Sequence, residues 1–183
     1  MSHIAIVGTG YVGLSTGACL AHLGHTVVCL DVDDNKIALL TQGIVPIVEA
    51  GLDELVATGM GNGRLSFTAD AQTALATADV VFLCLPTPQG DDGSADLSYV
   101  LTAAEQIRGL LTHGAVVVNK STVPVGTADV VRKVLNRDDI EVVSNPEFLR
   151  QGTAVHDFLH PTRVVIGGDS DAAVSYTHLT LPT

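Results

Sequence analysis

The sequence contains no tryptophan, few aromatic residues of any kind, and fewer than half as many basic as acidic side chains. Nine Lys and Arg against twenty Asp and Glu give a formal net charge of −11. That balance argues against a nucleic-acid backbone or an anionic membrane surface as the partner. It leaves small anionic ligands open, because the free N–H groups at a helix start bind phosphate whatever the global charge. Cysteine is scarce too. Cys19, Cys29 and Cys84 lie in apolar runs without metal-ligand spacing, and their expected role is as small buried side chains. An odd number of thiols with no export signal suits a reducing cytoplasm. Long hydrophobic runs are missing: Met1-Ser2-His3 leads straight into Ile4–Val7, with neither a basic leader nor a membrane-spanning stretch.

What is present is an apolar fraction of 46% built from small and branched aliphatics. At 183 residues the chain is long enough for one domain with a substantial core. Short runs rich in Val, Ile and Leu recur at His3–Val7, Thr26–Leu30, Val80–Leu85, Ala115–Asn119 and Glu141–Ser144, as fully buried parallel strands should. A further strand is expected at Arg163–Ile166. Helical patterns lie between them at Val12–Leu23, Asp33–Gln42, Ala71–Ala76, Leu97–Leu111 and Thr127–Leu135. In the fourth, Leu97, Val100, Leu101, Ala104, Ile107 and Leu111 keep the i, i+3, i+4 spacing, and Asp96 is a candidate N-cap. Strand followed by helix, repeated, implies right-handed βαβ crossovers. The expected fold is α/β: a Rossmann-like, doubly wound parallel sheet with helices on both faces.

Gly8-Thr9-Gly10-Tyr11-Val12-Gly13 follows the first strand and opens the first helix. A GxGxxG is weak alone, but here strand and helix flank it as a dinucleotide site requires. Gly8 permits the tight turn, Gly10 leaves room for a pyrophosphate, and Gly13 lets helix press on strand. The second strand runs into Asp31, about 20 residues beyond the glycines, where a carboxylate accepts hydrogen bonds from ribose hydroxyls. No Arg stands beside it in Val32-Asp33-Asp34-Asn35, so NAD is expected over NADP. The alternative role for Asp31 is a helix N-cap, which Asp33 can also fill.

Taken together, several segments resemble the UDP-glucose/GDP-mannose dehydrogenase family. They are Gly8–Leu14, Asp31 to Lys36, Pro46 through Glu49-Ala50-Gly51-Leu52, Pro86-Thr87-Pro88, Asp92–Leu97, Lys120–Thr127, Asn145–Arg150, and Asp157-Phe158 through Pro161 to Arg163. They span His3–Gly168 in the family's order. The resemblance implies that Gly8, Gly10, Tyr11, Val12, Gly13, Asp31, Lys36, Thr87 and Thr122 contact NAD, with Lys36 on the adenosine side. It implies that Thr122 also holds a catalytic water, that Glu147 assists proton handling, and that Glu147, Phe148, Leu149, Arg150 and Gln151 border the sugar nucleotide. Gln151 stands where the family usually has a second glutamate; it can hydrogen-bond but cannot take a proton. Thr162 replaces a common Asp before Arg163.

The implied reaction oxidises the sugar's hydroxymethyl group twice, with NAD taking each hydride and a cysteine thiolate trapping the aldehyde in between. UDP-glucose oxidised to UDP-glucuronate is the expected chemistry, with GDP-mannose or an N-acetylated UDP-sugar as rival substrates. A non-catalytic NAD-binding sensor is the alternative from another class. The nucleophilic cysteine is expected in later segments of the family, since none of the three here lies in a matching motif. Residues 1–173 are therefore expected to be an NAD-binding domain ending before a central helix and a UDP-binding domain, and the whole protein is expected to be a homodimer. Val174–Thr183 is similar to one reading frame of a sequencing-library adapter and is expected to be non-native. No metal is expected: His156 and His160 have helical i, i+4 spacing but no third ligand, and Asp91, Asp92 and Asp96 lack calcium-loop spacing.

Overall fold

The computed structural model describes residues 1–168; Asp169–Ala173 and the Val174–Thr183 tail lie outside the described residues. Six strands form one parallel sheet: β1 (His3–Val7), β2 (Thr26–Leu30), β3 (Leu65–Thr68), β4 (Val80–Leu83), β5 (Val116–Asn119) and β6 (Glu141–Ser144). Their order across the sheet is β3-β2-β1-β4-β5-β6. The chain builds outward from β1 in one direction, then returns to its other side at β4. The carboxyl ends of β1 and β4 therefore face a crevice left where the connections diverge, the place where open α/β sheets take ligands.

Seven helices are described: α1 (Tyr11–His22), α2 (Asp34–Thr41), α3 (Leu52–Gly61), α4 (Ala71–Leu75), α5 (Ser98–Ile107), α6 (Thr127–Leu135) and α7 (Ala154–Leu159). Strand side chains alternate between two cores, as a pleated strand requires. Ile4, Ile6, Val27, Cys29 and Phe82 pack on one face against Leu14, Ala18, Ile37, Leu40, Leu52 and Val56. Ala5, Val7, Val81, Leu83 and Val117 pack on the other against Leu75, Val100, Ala104, Ile107, Val131 and Leu135. Both faces are covered, which is why the strands read as near-continuous apolar runs. This is the Rossmann-like α/β architecture expected from the sequence.

Four elements depart from that expectation. Strand β3 and helices α3 and α7 were absent from it. β3 is a four-residue edge strand with only Leu65 and Phe67 buried, and α3 carries Thr58, Gly59 and Gly61, which blur a helical pattern. The fourth departure corrects the strand expected at Arg163–Ile166. That segment forms no strand; an antiparallel bridge between Ser144 and Gly167 lies just beyond it. The Val165 carbonyl is taken by the Asn145 side-chain amide at 2.8 Å, so residues 163–166 cross the end of β6 without joining its ladder.

Helix α1 comes close enough to the sheet that two of its glycines have no room for a side chain. A Cβ at Gly13 would overlap the Gly8 carbonyl oxygen and lie 3.1 Å from Cys84 Cβ; one at Gly17 would lie 2.7 Å from Cys29 Sγ. At Gly10 it would meet nothing within 4 Å, and the backbone there is extended. Gly13→Ala is thus expected to destabilise the domain by about 2 kcal/mol, overpacking against rigid backbone outweighing the helix-propensity gain of about 1 kcal/mol. Gly10→Ala should stay within ~0.5 kcal/mol of the parent. Denaturant titration of both variants checks the contrast; equal stability would mean that α1 can move away from the sheet.

Candidate functional site

Two cavities open at the carboxyl edge of the sheet. The larger, about 1070 Å³, lies over the carboxyl ends of β1 and β4 and runs from Asp31 and Lys36 at one end to Thr122 and Glu147 at the other. Of the residues expected at the cofactor, Gly8, Gly10, Tyr11, Val12, Asp31, Lys36, Thr87 and Thr122 all line it. Gly13 lies behind them, buried against the turn.

The glycine turn is held from three sides. Gly8 has φ +96°, a region that favours glycine, and its amide donates to the Leu30 carbonyl at 2.8 Å. Thr9 is buried and gives both its amide and its hydroxyl to Asp31 Oδ2, at 2.8 and 2.7 Å. Gly10 occupies the N-cap of α1 without any side-chain cap, so the first amides of a twelve-residue helix face the cleft uncapped by the protein.

Asp31 is buried and heavily engaged. Besides Thr9, Oδ2 accepts from Lys36 Nζ at 2.8 Å, and Oδ1 accepts from the Asp33 amide at 3.1 Å. Burial pushes its pKa up, but the bonds from Lys36, Thr9 and Asp33 outweigh this and bring it down to about 2. The N-cap of α2 is Asp33, whose carboxylate accepts from the amides of Asn35 and Lys36. Asp31 lines the cleft, and Lys36 compensates its charge.

At the opposite end, loops after β4 and β5 are tied together. Ser121 Oγ donates to the Leu85 carbonyl at 2.7 Å, and Thr87 Oγ1 donates to the Thr122 carbonyl at 2.8 Å. The Thr122 side chain is exposed. Glu147 lines both cavities, with Oε2 accepting from the Leu149 amide at 2.8 Å.

The second cavity, about 630 Å³, is bordered by Glu147, Phe148, Leu149 and Arg150, four of the five residues expected at the substrate. Gln151 is exposed and does not line it. Arg163 stacks its guanidinium 5.0 Å from the Phe148 ring centroid, and Arg150 forms a two-pronged ion pair with Asp157 at 2.7 and 3.0 Å.

Two residues quoted in sequence motifs carry roles that sequence reasoning did not assign. Lys120 is buried at the second cavity, donating to Asn145 Oδ1 at 3.1 Å; burial pushes its pKa below the ordinary lysine value, while Cys84 and Glu147 pull it back up. Glu49, from the loop between α2 and α3, is buried and accepts from the Gly152 and Ala154 amides. A charged residue in a loop gives no sequence signal that it will be buried over a hundred positions away. All three cysteines are buried; burial pushes Cys19 and Cys84 up to about 12, and Cys29 higher still. Among the described residues no helix is long and apolar enough to cross a membrane, and no group of three or more His, Cys, Asp or Glu could hold a metal ion.

Residues 2–179 match the UDP-glucose/GDP-mannose dehydrogenase family, NAD binding domain. Among curated proteins, the chain is 53% identical over 171 residues to a UDP-glucose 6-dehydrogenase of Rhizobium meliloti, covering 91% of this chain and 39% of the relative. It is 45% identical over 180 residues to UDP-glucose 6-dehydrogenase TuaD of Bacillus subtilis, covering 96% and 39%. Among solved structures, a UDP-glucose dehydrogenase from Pyrobaculum islandicum superposes with a TM-score of 0.90 at 39% identity, over 98% of this chain and 44% of that one. A ternary complex of GDP-mannose dehydrogenase from Pseudomonas aeruginosa gives 0.89 at 36% identity, over 96% and 43%. The chain thus spans about two fifths of the length of the relatives it matches. It belongs to the UDP-glucose/GDP-mannose dehydrogenase family, of which it is the NAD-binding domain.

Proposed function

We propose that this chain is the cofactor-binding part of an NAD-dependent enzyme that oxidises UDP-glucose to UDP-glucuronate, the whole protein acting as a homodimer. The observation that carries the reading is the larger cleft. It combines a glycine with open space before it, an uncapped helix N-terminus and a buried carboxylate at one end with a glutamate at the mouth of a second cavity at the other. The curated relatives' names supply the sugar nucleotide.

The residues fit a dinucleotide. Space at Gly10 admits a pyrophosphate against the first amides of α1. Asp31 Oδ1 accepts from ribose hydroxyls, with Lys36 beside it. Thr87 and Thr122 border the nicotinamide end, where the exposed Thr122 hydroxyl can hold a water. NAD, when bound, supplies the hydride acceptor. Glu147 has one carboxylate oxygen fixed by the Leu149 amide, which leaves the other to hold or pass a proton between the two cavities. Phe148, Leu149 and Arg150 form the wall met by the sugar nucleotide, while Gln151 serves at most through hydrogen bonding.

Calorimetric titration should show that the chain binds NAD and prefers it to NADP, whose extra phosphate meets the Asp31 carboxylate. Gly10→Val should abolish that binding while the domain stays folded, because a Cβ there meets nothing within 4 Å and the added side chain occupies the pyrophosphate's space. Unchanged NAD affinity in the folded variant would refute the assignment of the cleft.

Acid stability carries a second signature. The folded pKa of Asp31, about 2, lies below its ordinary value of 3.8. Its contribution to stability is therefore fully present above pH ~4 and lost as the pH falls through about 2. Asp31→Asn should lower stability at neutral pH and reduce the steepness of acid unfolding below pH ~4. An identical acid limb in parent and variant would show that the carboxylate is not held as described.

The aldehyde step needs a thiolate, and a buried thiol with a raised pKa has neither the charge nor the access. The 183-residue chain supplied with NAD should leave UDP-glucose unoxidised. Ellman's reagent at pH 8 should label its three thiols only on unfolding. Turnover, or rapid labelling of the native protein, would contradict this division of roles.

A further inference from the structure

Glu49 joins three parts of the chain that are remote in sequence. Its Oε2 accepts the Tyr11 hydroxyl at 2.5 Å and the Gly152 amide at 2.7 Å, and its Oε1 accepts the Ala154 amide at 2.8 Å. The Tyr11 hydroxyl also lies 3.1 Å from the Arg150 carbonyl. Tyr11 is the first residue of α1 and lines the larger cleft, whereas Arg150 lines the second cavity. Burial, reinforced by the Glu49 carboxylate, pushes the Tyr11 phenol up to about 12. Burial pushes Glu49 up as well, but the bonds from Tyr11, Gly152 and Ala154 prevail and hold it below the ordinary range. Near neutral pH the pair is therefore a neutral phenol donating to a carboxylate, among the stronger hydrogen bonds a protein makes.

We propose that Glu49 is a positioning residue that couples the two cavities: a dinucleotide seated against Tyr11 fixes Glu49, and Glu49 fixes residues 150–154 at the wall of the second cavity. The inference rests on the larger cleft being the NAD site. The physical basis is a short chain of buried hydrogen bonds whose cleft-side end is a side chain the ligand touches. Restricting Tyr11 removes freedom from the carboxylate, and thereby from the amides it holds. A role confined to stabilising the fold would make Glu49 a permanent cap for those amides, indifferent to the cofactor.

Amide hydrogen exchange of the 183-residue chain, with and without saturating NAD, separates these roles. NAD should slow exchange at Gly152 and Ala154 by about fivefold or more, the lower end of inter-site couplings. Tyr11→Phe keeps both amide bonds to Glu49 but cuts its link to the cleft. It should leave exchange at Gly152 and Ala154 unchanged without NAD, and reduce the response to saturating NAD below about twofold. Glu49→Gln, if it folds, should raise exchange at both amides before any cofactor is added. A response to NAD that persists in Tyr11→Phe, or is absent in a parent chain shown by calorimetry to bind NAD, would overturn the coupling. Failure of the parent chain to bind NAD would overturn the cofactor reading and the coupling with it.

Discussion

The cofactor end of this domain depends on how closely backbone meets backbone between residues 8 and 13. The carbonyl of Gly8 lies where a side chain at Gly13 would have to be, and a Cβ at Gly8 would in turn run into the Cys84 carbonyl at the end of β4. This contact fixes the first turn of α1 over the gap between β1 and β4. The sheet order opens that gap; the glycines let the helix start point into it. Gly10, the one glycine of the three without a steric or conformational demand of its own, is the one whose open space faces the cleft.

Asp31 makes the turn rigid. Its carboxylate gathers the Thr9 amide and hydroxyl, the Lys36 ammonium and the Asp33 amide, so β2, the glycine turn and α2 are pinned at one point. Under the proposed function the same residue is also the acceptor offered to a ribose. A group proposed to have two duties cannot be removed to test one of them: deleting it strands a buried Thr9 donor as well as the proposed ligand contact. The Lys36 partner also tempers the repulsion that an isolated carboxylate would exert on a 2′-phosphate.

Much of this could be read from the residues. Five of six strands were legible because strands buried on both faces are written as unbroken aliphatic runs, and the glycine spacing with Asp31 located the cleft. The edge strand β3 was not legible, since Leu65 and Phe67 are its only buried positions. Arg163–Ile166 has the composition of a strand but joins no ladder, and the Asn145 side chain takes the Val165 carbonyl. Of the residues expected at the substrate, Gln151 is exposed and does not line the cavity its neighbours border, a detail of loop course that no local pattern encodes. Glu49 and Lys120 were visible as letters in motifs, yet their burial follows from contacts made across the whole chain.

The measurement that bears most directly on the account is a two-dimensional amide NMR titration of the chain with NAD. The central claim is that the dinucleotide lies across the β1–β4 crossover, with its adenosine by Asp31 and its nicotinamide by Thr122. Saturable shifts should then appear at residues 8–13, at 31–36, and at the loops around Thr87 and Thr122. Shifts confined to the smaller cavity around Phe148 and Arg163, or none at the glycine turn, would contradict it.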